Sequence, residues 1–97
     1  MGRAYAAVDL GNSSGRVMLG RVAADRIELS EVRRIPNAPI RRADGWHWDL
    51  NRLFAEVLLG LRQAADRAEL QGIAVDTWGV DYGLLDRHGE LIGEPFS

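Results

Sequence analysis

The sequence contains no cysteine, which excludes a disulfide framework and any thiolate metal site. No apolar run approaches the roughly 18–20 residues a membrane span needs. The opening Met1-Gly2-Arg3-Ala4 lacks the apolar core of a signal peptide. Gly2 follows Met1, but Ala6 stands where a myristoylation signal requires Ser or Thr. Basic charge is not in excess either, since 12 basic residues meet 14 acidic ones for a formal net charge of −2. A nucleic-acid surface, whose affinity rests on Lys and Arg neutralising phosphates, is therefore not expected. The two histidines, His47 and His88, read as loop residues without a metal-spaced partner. What remains is an ordinary soluble composition, 46% hydrophobic over 97 residues, with room for one domain and a modest core. A soluble, cytoplasmic protein is the expectation, with no membrane and no nucleic-acid partner.

In chain order the pattern predicts strands, a helix, then strands. Residues 4–10 form a short apolar run whose only charge, Asp9, lies near its end, as in a buried strand. Residues 17–22 read as its hairpin partner. In residues 27–32, Ile27 and Leu29 alternate with polar side chains, the mark of a half-exposed strand near an edge. Residues 33–45 hold Pro36, Pro39 and two arginine pairs, and are expected to be an irregular excursion of solvated charge rather than a basic patch.

Asp49 then suits a helix N-cap. Leu50, Leu53, Phe54, Val57, Leu58, Leu61, Ala64, Ala65 and Ala68 follow at the spacing of one buried face. Gly60 within that helix implies close packing against a neighbour. Residues 73–80 read as a second central strand, and residues 81–86 as a short strand turning at Arg87-His88-Gly89-Glu90. The order β-β-β-α-β-β, with a helical crossover into a parallel strand, defines an α/β fold with a mixed sheet.

The chemistry gathers at Asp9-Leu10-Gly11-Asn12-Ser13-Ser14-Gly15-Arg16. A simple hairpin reverses in two residues, whereas this turn takes five or six, several small or hydroxylated. Successive backbone N–H groups in such a turn form a nest for anions, phosphate above all. An aspartate ending the preceding strand would repel phosphate unless a divalent cation sat between them. The competing reading is a wide surface hairpin, with Asp9 capping loop N–H groups and Arg16 a surface arginine at a strand start. Ligands in open α/β sheets collect outside the carboxyl ends of strands, and both Asp9 and Asp76 end buried strands in this reading.

The run Val8 to Arg16, set in the β-β-β-α-β order, resembles the first half of an actin/hexokinase/Hsp70-type, ribonuclease H-like ATPase lobe, and more narrowly the FGGY carbohydrate kinases. Gly45-Trp46-His47-Trp48-Asp49-Leu50 and Val75-Asp76-Thr77-Trp78-Gly79-Val80-Asp81-Tyr82 sharpen it to the branch that phosphorylates L-rhamnulose. The resemblance covers all 97 residues and implies an N-terminal part of the first lobe, the second lobe being absent. It implies ATP and Mg²⁺ as cofactors, with Asn12, Ser13, Ser14, Gly15 and Arg16 on the ATP phosphates and Asp9 on Mg²⁺ through water. It places sugar contacts at Thr77, Trp78 and Gly79, with Asp76 and Asp81 as candidate polar groups of the pocket. Trp78 reads equally as a core residue, and Trp46 and Trp48 as pins of the helix start. The family's general base is an aspartate that the resemblance places beyond Ser97, so no catalytic residue is assigned here and the chain alone is expected to be inactive. Alternatives are a kinase for xylulose or glycerol, a phosphatase of the same superfamily, and a non-catalytic phosphate-binding module that self-associates through an open sheet edge.

Overall fold

The computed structural model of the chain describes residues 2–11 and 13–97. Three strands come first: β1 (Arg3–Leu10), β2 (Ser14–Val22) and β3 (Ile27–Pro36). A two-stranded ribbon follows, β4 (Ile40–Arg42) and β5 (Gly45–His47), then helix α1 (Leu50–Arg67) and strand β6 (Leu70–Asp76). The main sheet has the order β3-β2-β1-β6. Its first three strands are antiparallel and β6 is parallel to β1, the expected mixed α/β arrangement with a crossover helix.

Alternation along β1 buries Ala4, Ala6 and Val8 on one face. Register places Val17 opposite Val8 and Ile35 opposite Gly15. Together with Leu53 and Val57 of the helix, Val8, Val17 and Ile35 make up the core. The helix starts as expected, the Asp49 carboxylate accepting from the Arg52 N–H at 3.1 Å. Gly60 is where it comes closest to the sheet. A β-carbon there would stand 2.5 Å from Val17 Cγ2, so only glycine fits without displacing a core residue. Arg33 of β3 then ties the sheet to the helix through Glu56, at 2.7 Å and 2.8 Å to the same oxygen.

Three expectations need correction. The excursion of residues 33–45 is more regular than its prolines suggest. Arg33, Arg34 and Ile35 keep pairing with β2 up to Pro36, and Ala43-Asp44 is a two-residue turn between β4 and β5. Gly45, at φ +134°, adopts the backbone that turn needs.

Second, β6 is largely exposed: Ile73 is 56% and Val75 61% accessible. It is an edge strand among the described residues, so nothing flanks its outer side. The same edge explains why Leu50, Phe54 and Leu58, expected on the buried helix face, stay exposed while Leu53, Val57, Gly60 and Ala64 are covered. Third, residues 81–86 contribute isolated bridges, Tyr82 to Phe96 and Leu85 to Leu91. The turn after them is closed by the Asp86 carboxylate, which accepts from the N–H groups of His88 and Glu90. No helix of the described residues is long and apolar enough to cross a membrane.

Candidate functional site

A row of charge crosses the sheet near the carboxyl end of β1. Asp9 lies opposite Arg16 on β2 and opposite Asp76 on β6, and Arg16 lies opposite Arg34 on β3. Residues directly opposite in a ladder share a face. The neighbouring row holds Val8, Val17 and Val75 and faces the helix, so the charged row occupies the other side. Glu31 serves both arginines, 3.9 Å from Arg16 and 2.9 Å from Arg34. At the other end, Asp9 and Asp76 stand on adjoining strands about 4.8 Å apart. Like charges so placed repel, and a cation relieves them. Among the described residues no group of three or more candidate metal ligands forms. Two exposed carboxylates on adjoining strands are nevertheless a donor set suited to Mg²⁺, which keeps much of its hydration.

The loop beside this row is shorter than its composition suggests. β1 ends at Leu10 and β2 begins at Ser14, so residues 11–13 alone connect them. Ser14, Gly15 and Arg16 are the first residues of β2, and Asn12 lies outside the described residues. Ser13 and Arg16 are exposed, while Gly15 is buried with its missing β-carbon 3.0 Å from Leu10 Cδ2. The Gly11 N–H donates to the Ser14 carbonyl at 3.0 Å. Asn37, which no motif in the sequence marks, supplies two more bonds. Its backbone N–H donates to the Ser13 carbonyl at 3.1 Å and its side-chain amide to the Gly11 carbonyl at 3.3 Å.

The second group of candidates gathers on the helix side. Thr77, Trp78 and Asp81 line a cavity of about 220 Å³ with Leu10, Trp48 and Tyr82. Trp48 is buried, 3% exposed, and its ring stacks on Trp78 with centroids 4.3 Å apart. Its indole N–H donates to the Asp81 carboxylate at 2.8 Å. Trp78 is thus both packed and presented: one face meets Trp48 and the ring helps line the cavity. Gly79 lies in the open, where an added β-carbon meets nothing within 4 Å. Asp76 does not join this group, because its register sends it to the far face with Asp9. Trp48 was legible only as a helix-start residue, since nothing in local sequence foretells its bond to Asp81, 33 residues on.

His47, read from sequence as a loop residue, is buried in β5 at 5% exposure. Its ring nitrogens face two acceptors, the Glu94 carbonyl at 2.9 Å and the Asp44 carboxylate at 2.7 Å. Satisfying both requires a proton on each nitrogen, so the Glu94 carbonyl and then Asp44 raise the His47 pKa above its ordinary value. The same bond from His47 holds Asp44 below the usual carboxylate range. Arg42 clasps Glu94 in two bonds, at 2.8 and 3.1 Å, and lowers the Glu94 pKa.

These pairs fasten residues 94–97 to the β4–β5 ribbon, and a pH dependence follows. A raised histidine pKa adds stability that is full below about 6.5 and is lost as pH rises through the higher folded value. The lowered Asp44 adds stability above its ordinary pKa and loses it as pH falls through the lower folded value. Thermal unfolding followed from pH 5 to 9 should therefore show a decline on the alkaline side that His47→Gln removes.

No protein-family model matches the chain. Curated relatives do match, along nearly all of its length. It is 38% identical over 94 residues to a rhamnulokinase of Bacteroides thetaiotaomicron, covering 96% of this chain. It is 43% identical to rhamnulokinases of Mannheimia succiniciproducens over 95 residues and of Enterococcus faecalis over 98, covering 95% and 98% of it. The chain spans only 19–20% of the length of these relatives. The similarity therefore extends over about a fifth of each rhamnulokinase.

Proposed function

We propose that this rhamnulokinase-like chain is the N-terminal part of the first lobe of an ATP-dependent sugar kinase, and that the whole protein converts L-rhamnulose and ATP to L-rhamnulose 1-phosphate and ADP. The observation that supports this reading is that two unlike clusters lie near the carboxyl end of β1. The charged row of Arg16, Asp9 and Asp76 adjoins the loop of residues 11–13 on one side. The aromatic cavity of Trp48, Trp78, Thr77 and Asp81 opens on the other. A kinase needs both, because its phosphate donor is an anion and its acceptor a polyol.

In this reading Ser13, Ser14 and Gly15, with Asn12, hold the phosphates of ATP, and Asp9 with Asp76 holds Mg²⁺ through water. When bound, Mg²⁺ neutralises charge on the transferring phosphoryl group. Arg16 lies in line with Asp9 and offsets negative charge as it builds on the γ-phosphate. Trp78 offers the sugar an apolar face, and Asp81, held at one oxygen by Trp48, accepts from a sugar hydroxyl. In the transfer the sugar O1–phosphorus bond forms and the bond from the γ-phosphorus to the ADP oxygen breaks. The O1 proton passes to a general base that none of these residues supplies.

Gly79 gives the test, because its surroundings are empty. In a complete kinase carrying this segment, Gly79→Val should leave thermal stability unchanged and raise the KM for L-rhamnulose on the order of 10–200-fold, the scale of one misfitted group in a pocket. The KM for ATP should hold. An unaltered sugar KM would remove Gly79 from the sugar site. Comparing xylulose and glycerol as acceptors would identify the sugar, and free phosphate without a phosphorylated sugar would indicate hydrolysis. The open edge of β6, with Ile73 and Val75 exposed, favours self-association as a second reading for the isolated chain.

A further inference from the structure

We propose that Asn37 is a positioning residue for the phosphate loop, turning the carbonyls of Gly11 and Ser13 inward so that the loop's N–H groups face the anion. The proposal rests on the phosphate-binding reading of that loop and adds to it the residue that follows β3. A loop that binds phosphate through its backbone has an electrostatic difficulty. Each N–H that attracts the anion is accompanied by a carbonyl oxygen that repels it. Three carbonyls here are already engaged: Gly11 by the Asn37 side chain, Ser13 by the Asn37 N–H, and Ser14 by the Gly11 N–H.

Asn37 is suited to this because it is itself fixed. It is 7% exposed, and a buried carboxamide retained without partners would be costly. Register pairs Pro36, just before it, with Ser14. Arg52 of the first turn of α1 donates to the Pro36 carbonyl at 2.8 Å. A continuous path therefore runs from the helix start through Pro36 and Asn37 to both limbs of the loop. Asn37, Ser13 and Arg52 also line one open cavity of about 460 Å³. Fixing the loop beforehand leaves less ordering for the ligand to do, which is how preorganisation raises affinity.

Asn37→Ala removes the side-chain bond, and Asn37→Asp replaces the donor with an acceptor of the same size. Ala64→Gly serves as a control for stability alone, since Ala64 is buried in the last turns of α1, about 20 Å from the helix start. Titrating Mg·ATP into each folded chain should show affinity lower by about 2- to 10-fold in Asn37→Ala and lower still in Asn37→Asp. Hydrogen exchange at Gly11 and Ser14 should quicken in both variants but not in Ala64→Gly, which should also keep its affinity. Wild-type affinity in the Asn37 variants, or a loss no larger than that of Ala64→Gly, would overturn the proposal. If the unmodified chain binds no Mg·ATP, the phosphate reading itself fails and the role given to Asn37 fails with it.

Discussion

Asp9→Ala should abolish the Mg²⁺ dependence of ATP binding while leaving the fold intact. Asp9 is exposed and lies on the sheet face away from the core. Removing its carboxylate also removes a like-charge neighbour of Asp76, so stability should change by no more than about 0.5 kcal/mol. Binding is another matter. In the proposed reading Asp9 would help hold Mg²⁺ through water, and outer-sphere partners are worth on the order of 10–100-fold in metal affinity. Isothermal titration of ATP with and without Mg²⁺ measures this directly. Wild type should bind more tightly with the metal, and Asp9→Ala should bind equally weakly either way. Equal, Mg²⁺-dependent binding by both would show that Asp9 does not hold the metal.

The second large effect concerns the core. Ile35 is fully buried, at 0% exposure, in one core cluster with Val17 and with Leu53 and Val57 of the helix. Ile35→Ala should cost about 2–5 kcal/mol through lost transfer energy and the cavity left behind. Small domains have roughly 5–15 kcal/mol in all, so one substitution removes a large share. The urea midpoint should fall accordingly. Leu29→Ala on the same strand is the comparison, because Leu29 is 67% exposed and its loss should stay within about 0.5 kcal/mol. Similar losses for both would mean that the core is not centred on Ile35.

The helix and the first hairpin were legible because their signals are local. Asp49 caps its own helix, and the apolar spacing of Leu53, Val57 and Ala64 marks a buried face. Gly60 could be read as a close approach, although not as an approach to Val17. Strand β3 past Val32 was not legible, since two prolines outweighed the pairing with β2 that carries it on to Pro36. The exposure of β6 has a different cause. Ile73, Ala74 and Val75 read as a strand covered on both sides, and sequence does not reveal that the sheet of the described residues ends there.

The candidate site divides in the same way. Asp9 and Arg16 could be read as ends of one loop, although not as residues directly opposite in the ladder. Asp76 was placed at the sheet edge correctly, but register alone sends it to the face of Asp9 rather than to the cavity of Trp78. Trp48, Asn37 and His47 act through partners 33, 26 and 47 residues away. No local pattern carries such information. The arginine pairs are also engaged: Arg33, Arg34 and Arg42 hold Glu56, Glu31 and Glu94, and Arg41 lies over the Trp46 ring. Only the Arg34–Glu31 pair is local; Glu56 and Glu94 lie 23 and 52 residues from their arginines, and these partners, rather than a basic patch, account for the arginine pairs.

That the first loop grips a metal–phosphate group is tested most directly by a residue-resolved ¹⁵N NMR titration with Mg·ATP. Amide shifts should concentrate in residues 9–16, diminish when Mg²⁺ is removed, and leave the Arg41–Trp46 region unmoved. Shifts absent from residues 9–16, or unchanged by removal of the metal, would contradict it.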